Sequence, residues 1–212
     1  MIITVSITKF KTTQKEAIKI INQTNADYIH IDLFDGKFVP TKQLEPKELD
    51  KILPDIKKPL DVHLMAEEPL KYLAYFANIN TEYFVFHLEA VKDIEEAIKK
   101  VKQTGLKVGL AIKIPTEVEA LKPYLHLLDQ VLVMSVEGGY GGSPFNEIAL
   151  KKISELKSLK EEHNYSYEIN VDGGINQDTI GLVKEAGTSM VVSGSYICMS
   201  DDMQSAIDYL KN

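Results

Sequence analysis

Four side chains of the kinds that bind metal ions lie at or near the ends of short, strand-like runs in this sequence. His30 and Asp32 are two residues apart in an alternating run, so on a strand both would point to the same side. His63 lies in a second apolar run, and Asp172 lies where a third run meets two glycines. Two imidazoles and two carboxylates suit one divalent ion such as Zn²⁺, Mn²⁺, Fe²⁺ or Co²⁺ better than Ca²⁺, which prefers oxygen ligands alone. The sequence therefore predicts a metal site and leaves the identity of the metal open.

Glycines form a second group of candidate site residues. Because glycine has no Cβ, a backbone rich in glycine can come close to a bound phosphate, and its free N–H groups favour an anion. All 24 basic residues of the chain are lysines, so a phosphate would be held by N–H groups, hydroxyls or lysine and not by a bidentate guanidinium. The glycine-rich stretches follow the last three apolar runs, at residues 136–143, 172–175 and 193–195.

The elements that must position these groups are short apolar runs alternating with amphipathic stretches. Eight runs rich in Val and Ile occur at residues 2–7, 28–33, 60–64, 83–87, 107–112, 130–136, 167–171 and 189–192. Helical spacing of apolar residues marks the stretches 91–102 and 146–162, and Pro115 predicts a further helix start. This alternation favours an α/β fold, a single (β/α)₈ TIM barrel over residues 1–212, with an open doubly wound sheet as the alternative. In such a barrel the active site lies at the C-terminal ends of the strands, where His87 would also reach the mouth.

Composition excludes several classes of partner. The net charge of −7, without a long basic run, disfavours the phosphate-backbone contacts on which nucleic-acid binding relies. No apolar run approaches the roughly 20 residues that a membrane-spanning helix needs. The single cysteine, Cys198, has no partner for an internal disulfide, and the first residues lack the features of a signal peptide. We expect a cytoplasmic protein that binds neither nucleic acid nor membrane.

Three motifs make the chain resemble the ribulose-phosphate 3-epimerase family over essentially its whole length. The family pattern His-x-Asp-x-x-Asp-Gly-x-Phe-Val-Pro corresponds to residues 30–40, Leu-Asp-Val-His-Leu-Met to residues 60–65, and Val-Asp-Gly-Gly-Ile to residues 171–175. The resemblance implies a (β/α)₈ enzyme of the pentose phosphate pathway that uses one divalent metal ion, binds a sugar phosphate and forms a homo-oligomer.

The resemblance also implies roles for individual residues. His30, Asp32, His63 and Asp172 would be the metal ligands, and Asp32 and Asp172 would also be the catalytic acid/base pair. The implied substrate-binding residues are Ser6, His63, Met65, Met134, Gly139, Tyr140, Gly141, Gly142, Gly173, Gly174, Gly194 and Ser195.

The reaction implied by the resemblance is inversion of C3 of D-ribulose 5-phosphate to give D-xylulose 5-phosphate. One aspartate would remove the C3 proton from one face and the other would return a proton to the opposite face, through a metal-stabilised enediolate. Phe34, Lys37, Thr41 and Glu137 depart from the family pattern near the mouth, and we expect the Glu137 carboxylate to point to solvent. The alternatives are an epimerase of a six-carbon ketose phosphate such as D-allulose 6-phosphate, and a non-catalytic phosphosugar-binding barrel.

Overall fold

The strands of the protein form a closed barrel. The computed structural model describes residues 1–7, 10–43, 46–138 and 144–212, with the backbone alone at residues 42 and 43. Eight parallel strands follow one another around the barrel, and pairing of β1 with β2 closes it, which confirms the predicted barrel and excludes the open sheet. The strands are β1 (Ile2–Ser6), β2 (Tyr28–Asp35), β4 (Leu60–Met65), β5 (Thr81–His87), β6 (Lys107–Ile112), β7 (Gln130–Met134), β8 (Glu168–Asp172) and β9 (Met190–Ser193), with β3 (Lys42–Gln43) added antiparallel to β2.

Eight α-helices occur in the described ranges, and most of them cover the outside of the barrel. In the helix of residues 94–103 an apolar stripe at helical spacing is buried, at Ile94, Ala97, Ile98 and Val101. None of the helices in the described part of the chain is long and apolar enough to cross a membrane. The helices are α1 (Gln14–Gln23), α2 (Pro46–Leu49), α3 (Leu73–Phe76), α4 (Ile94–Gln103), α5 (Ile148–His163), α6 (Ile180–Ala186), α7 (Ser195–Cys198) and α8 (Met203–Lys211).

The connection after β6 differs from the helix that Pro115 predicted. Residues 113–129, all of which the structure describes, contain the 3₁₀ turns Val118–Leu121 and Leu125–Leu127 and no α-helix. Pro123 explains the difference, because it has no N–H to donate and disfavours helical geometry in the residue before it. The helix prediction for this connection was wrong.

The inside of the barrel is filled by side chains below the mouth. Seven buried apolar residues pack together there: Tyr83, Val85, Ala111, Leu132, Met134, Met190 and Val192. Successive strand residues alternate between this interior and the larger core under the helices. Every second residue of β2, β4 and β8 therefore points towards the barrel axis, and the last of these lie at the mouth.

Candidate metal centre and active site

Three barrel strands bring the four predicted metal ligands together. His30 and Asp32 lie on β2, His63 on β4 beside Asp32 in the strand register, and Asp172 at the end of β8. One ligand atom from each of the four lies within 4.8 Å of those of the others. Nε2 of His30 and Nδ1 of His63 are 3.1 and 3.2 Å from Oδ1 of Asp32, and 4.0 and 3.7 Å from Oδ2 of Asp172. The sequence-based grouping of these side chains is confirmed.

The electrostatics of this cluster favour a cation. Burial by itself would lower the pKa of His30, but the carboxylates of Asp32 and Asp61 outweigh it and hold that pKa well above its ordinary value. Burial would likewise raise the pKa of Asp32, yet the imidazoles of His30 and His63 hold it far below the ordinary range. Buried carboxylates need a compensating positive charge. A proton on an imidazole can supply that charge, and a bound divalent ion would supply it instead. The mixed nitrogen and oxygen donor set fits such an ion.

A buried carboxylate that sequence reasoning missed fixes the orientation of His30. Nδ1 of His30 lies 2.7 Å from Oδ2 of Asp61, and the other oxygen of Asp61 accepts from Nε2 of Gln130 at 3.3 Å. With its Nδ1–H donated to Asp61, His30 presents Nε2 to the other candidate ligands. The signal was present in the sequence, since Asp61 precedes His63 by two residues and so points to the same face of β4.

Ser6, a predicted substrate-binding residue, lies at the end of β1 beside His30 of β2. Its hydroxyl donates to Oδ2 of Asp32 at 3.0 Å, while Oδ1 of Asp32 faces the two histidines. The two oxygens of this carboxylate therefore have different neighbours. Asp32 can bind a cation through one oxygen while the other remains close to a hydroxyl at the mouth.

His87 lies behind His63 instead of in the open mouth. Its Nε2 is 2.9 Å from Nε2 of His63, and its Nδ1 is 3.2 Å from Oε2 of Glu89. Burial lowers the pKa of His87 to about 4, although Glu89 opposes this shift. His87 is 1% exposed and contacts a candidate ligand, so the prediction that it reaches the mouth is not confirmed.

An apolar wall borders the cluster. Met65 and Met134 are both 2 % exposed, and Phe34 is 7 % exposed. Phe34 packs with Val39 and Met65, and a Cβ added at Gly138 would lie 3.1 Å from Sδ of Met65, so the chain after β7 closes against this wall. Glu137 beside it is exposed, as we expected.

The loop after β2 completes the wall through a turn held by Asp35. Oδ1 of Asp35 accepts the backbone N–H groups of Lys37 and Phe38 at 2.8 and 2.9 Å. The turn places the Phe38 ring 4.9 Å from the ring of His87 and under the Lys113 ammonium, 3.6 Å from the ring centroid. The loop thus packs on His87 and separates it from the mouth.

The glycine loops after β8 and β9 adjoin the cluster. Gly173 and Gly174 have φ angles of +122° and +64°, in the left-handed region that favours glycine. A Cβ at Gly174 would also lie 2.9 Å from the backbone nitrogen of Phe145. The hydroxyl of Ser193 donates to the carbonyl of Ile175 at 3.0 Å, which joins the two loops.

Of the remaining predicted substrate-binding residues, Gly194 and Ser195 lie in the described part of the chain. Gly194 packs against Ser6, where an added Cβ would be 3.3 Å from that of Ser6, and Ser195 begins α7. Gly139, Tyr140, Gly141 and Gly142 lie outside the described residues.

A family model and the sequences of known proteins point to one family. Residues 2–198 match the model described as the ribulose-phosphate 3 epimerase family. The chain is 37% identical over 195 residues to ribulose-phosphate 3-epimerase of Bacillus subtilis, covering 92% of this chain and 90% of the relative. It is 36% identical over 196 residues to the Helicobacter pylori protein of the same name, with the same coverage of 92% and 90%. Orotidine 5′-phosphate decarboxylase from Pyrococcus horikoshii superposes with a TM-score of 0.69 at 9% identity, over 99% of this chain and 97% of that one, and this likeness shows the fold alone.

Proposed function

We propose that this protein inverts C3 of D-ribulose 5-phosphate to give D-xylulose 5-phosphate. The chain belongs to the ribulose-phosphate 3-epimerase family and is an isomerase acting on carbohydrates. The observation that carries this proposal is the meeting of Asp32 and Asp172 with two histidines at one point of the barrel mouth. Inversion next to a ketone needs two proton-transferring groups on opposite faces of one carbon. The two carboxylates come from β2 and β8, which β1 and β9 separate around the barrel, so they approach the centre from different directions.

The four residues His30, Asp32, His63 and Asp172 would hold a divalent metal. When bound, the metal would supply a Lewis acid that stabilises the negative charge developing on substrate oxygen as the C3 proton leaves. Asp32 is a carboxylate in this cluster, which is the form that can accept a proton. Asp172 is the group assigned to the opposite face, and the two exchange roles in the two directions of the reaction.

The surroundings of the aspartates support this chemistry. Met65, Met134 and Phe34 restrict water beside the reacting carbon, which strengthens electrostatic interactions there and limits loss of phosphate from the deprotonated sugar. The backbone at Gly173, Gly174 and Gly194 is assigned to the phosphate, because its N–H groups can come close to an anion where no Cβ intervenes. Residues 139–142 are assigned to the same phosphate from the family resemblance.

The experiment that tests the proposal measures both conversion and proton exchange. The protein, purified without added metal, is first analysed for its metal content and then incubated in D₂O with D-ribulose 5-phosphate. We expect D-xylulose 5-phosphate to form, with deuterium entering C3, and a chelator to abolish both until metal is restored. Binding of the sugar phosphate without deuterium at C3 would support the non-catalytic phosphosugar-binding barrel instead.

The same assay distinguishes the five-carbon from the six-carbon substrate. D-Allulose 6-phosphate has one more carbon. Phe34, which departs from the family pattern, lies in the wall beside Met65, and its side chain affects the space left for the substrate. We expect kcat/KM to be higher for D-ribulose 5-phosphate. A higher kcat/KM for the six-carbon sugar would reassign the substrate while leaving the two-aspartate chemistry in place.

A further inference from the structure

His63 and two side chains behind it, His87 and Glu89, form a continuous line of hydrogen-bonding atoms. Nε2 of His63 lies 2.9 Å from Nε2 of His87, and Nδ1 of His87 lies 3.2 Å from Oε2 of Glu89. Both imidazoles are buried, and the Glu89 side chain is 24% exposed. The metal site proposed above uses the opposite nitrogen of His63, the Nδ1 that faces Asp32 and Asp172.

Glu89 is fixed as a hydrogen-bond acceptor at the far end of this line. Its Oε1 accepts the backbone N–H of Lys113 at 2.9 Å and the hydroxyl of Thr116. Burial raises the pKa of Glu89, but the hydrogen bonds from His87, Thr116 and Lys113 together lower it by more, so the pKa falls to about 2. Its other oxygen, Oε2, is therefore a carboxylate oxygen, and Nδ1 of His87 must carry the hydrogen between them.

Residues 113–116, which donate hydrogen bonds to Glu89, are in turn bound by a buried lysine. Lys152 on α5 is 2 % exposed, and its ammonium donates to the carbonyls of Lys113, Ile114 and Thr116 at 2.9, 2.6 and 2.7 Å. All three hydrogens of the ammonium are thereby used on one short segment. The carboxylate of Glu89 thus has a fixed position relative to the barrel.

The alternation of donors and acceptors along this line then determines which nitrogen of each neutral histidine carries the hydrogen. Because a neutral imidazole has one N–H and one lone pair, a hydrogen on Nδ1 of His87 leaves a lone pair on its Nε2. Nε2 of His63 must then donate to that lone pair, so that in a neutral His63, the form that can bind a metal, the lone pair lies on Nδ1. That lone pair faces the carboxylates of Asp32 and Asp172 at 3.2 and 3.7 Å, where a metal would need it.

We propose that His87 and Glu89 are positioning residues of the metal centre, which fix the tautomer and ring orientation of His63 so that its Nδ1 lone pair faces the other three ligands. The proposal rests on the metal site of the proposed function. It gives the two histidine ligands different supports on the side away from the cluster, since Nδ1 of His30 donates directly to the carboxylate of Asp61, whereas Nε2 of His63 is linked to the carboxylate of Glu89 through the imidazole of His87.

Glu89→Gln tests this alternation without changing shape. The backbone N–H of Lys113 can only donate, so the amide oxygen of the new side chain must face it and the NH₂ group must face His87. His87 would then carry its hydrogen on Nε2, and His63 would carry its own on Nδ1, in the ligand position. We expect the affinity for Zn²⁺, measured by competition with a chromophoric chelator, to fall about 10- to 100-fold.

Substitutions at His87 separate hydrogen bonding from packing. His87→Gln retains an amide oxygen that can accept from Nε2 of His63, and we expect Zn²⁺ affinity within about threefold of the unaltered protein. His87→Leu has no acceptor and should lose about as much affinity as Glu89→Gln. The matched controls are Glu168→Gln, at the amino-terminal end of β8, and His126→Leu, at an exposed position, and neither should change Zn²⁺ affinity.

A measurement on the unaltered protein tests the proposal even where a variant fails to fold. The chain has five histidines, so long-range ¹H–¹⁵N correlation spectra of the Zn²⁺-loaded protein can be assigned with single substitutions. We expect the hydrogen of His87 on Nδ1 and that of His63 on Nε2. A hydrogen on Nε2 of His87, or unchanged Zn²⁺ affinity in folded Glu89→Gln, would overturn the positioning role while leaving the metal site intact. If the unaltered protein binds no Zn²⁺ and His63→Ala changes nothing, the proposed function and this proposal both fall.

Discussion

The mouth of the barrel contains two regions that are built in different ways. The cluster of His30, Asp32, His63 and Asp172 consists of side chains on strands, three of them buried. The loops after β8 and β9 contribute backbone at Gly173, Gly174 and Gly194, where close neighbours or positive φ angles leave little room for a Cβ. Under the proposed function, strands would carry the chemistry that depends on the identity of a side chain, and loops would carry the phosphate recognition that depends on close approach of the backbone. Substitutions in the cluster should change kcat and metal binding, and substitutions in the loops should change KM.

Asp172→Asn should have the largest effect. The change nearly preserves shape and retains an oxygen for the metal, but the amide cannot transfer a proton. We expect epimerisation to fall by roughly 10²- to 10⁴-fold, the contribution typical of general acid–base catalysis, with little change in KM. Steady-state kinetics at matched metal content provide the measurement, and turnover at the unaltered rate would remove Asp172 from the acid/base pair.

Deuterium exchange sharpens this test, because Asp32 remains on the other face. In Asp172→Asn, one epimer should exchange its C3 proton with D₂O without inversion, and the other epimer should not exchange. Asp32→Asn should show the opposite preference, once retention of metal has been checked. Equal exchange of both epimers in either variant would contradict a mechanism with two separate bases.

His30→Ala and His63→Ala should lose metal and activity together. Each removes one nitrogen ligand, and we expect metal affinity to fall by more than the 10- to 100-fold typical of losing a residue that only supports a ligand. Elemental analysis and activity on the same samples provide the measurement, with His126→Ala at an exposed position as the control. A metal-free variant with full activity would show that catalysis does not use this cluster.

Gly194→Val should change KM and not kcat. An added Cβ would lie 3.3 Å from the Cβ of Ser6, and the branched side chain would keep phosphate away from the backbone. The φ angle of −104° at Gly194 brings no left-handed strain, so the effect is steric. Losing one hydrogen bond to a charged group, about 1.5 to 3 kcal/mol, corresponds to a rise in KM of about 10- to 100-fold.

The control for Gly194→Val is Gly181→Val on α6, where nothing lies within 4 Å of an added Cβ. This control should leave both kinetic constants unchanged. An equal rise in KM in both variants would indicate a general defect, and no rise in Gly194→Val would mean that the phosphate binds elsewhere.

Glu137→Asn should have the smallest effect. The Glu137 side chain is exposed, and solvent and salt screen the interaction of an exposed charge with a bound anion. We expect kcat and KM to change by no more than about twofold at physiological ionic strength. A much lower KM in the variant would show that this loop acts through its side chain, which would break the contrast between loops and strands.

The sequence alone favoured the barrel and grouped the four candidate ligands, whereas the pairing of β1 with β2 showed that the barrel is closed. Eight apolar runs that alternate with amphipathic stretches favour parallel strands buried under helices. The two-residue period of a strand places His30 with Asp32, and the position of Asp172 at a strand end places it at the mouth. These inferences succeed because they depend on local periodicity and on the rule that parallel strands end at the same edge.

Only the tertiary structure decided how the ligands are supported. Asp61 and Gln130 are 69 residues apart in the chain and meet inside the barrel. Glu89 meets the segment at Lys113, which Lys152 holds from a distant helix. The periodicity of a strand or helix does not predict these contacts, because they depend on how strands and loops pack across the barrel. The sequence therefore predicts which groups meet at the mouth, and packing decides which nitrogen of each histidine faces the other three groups.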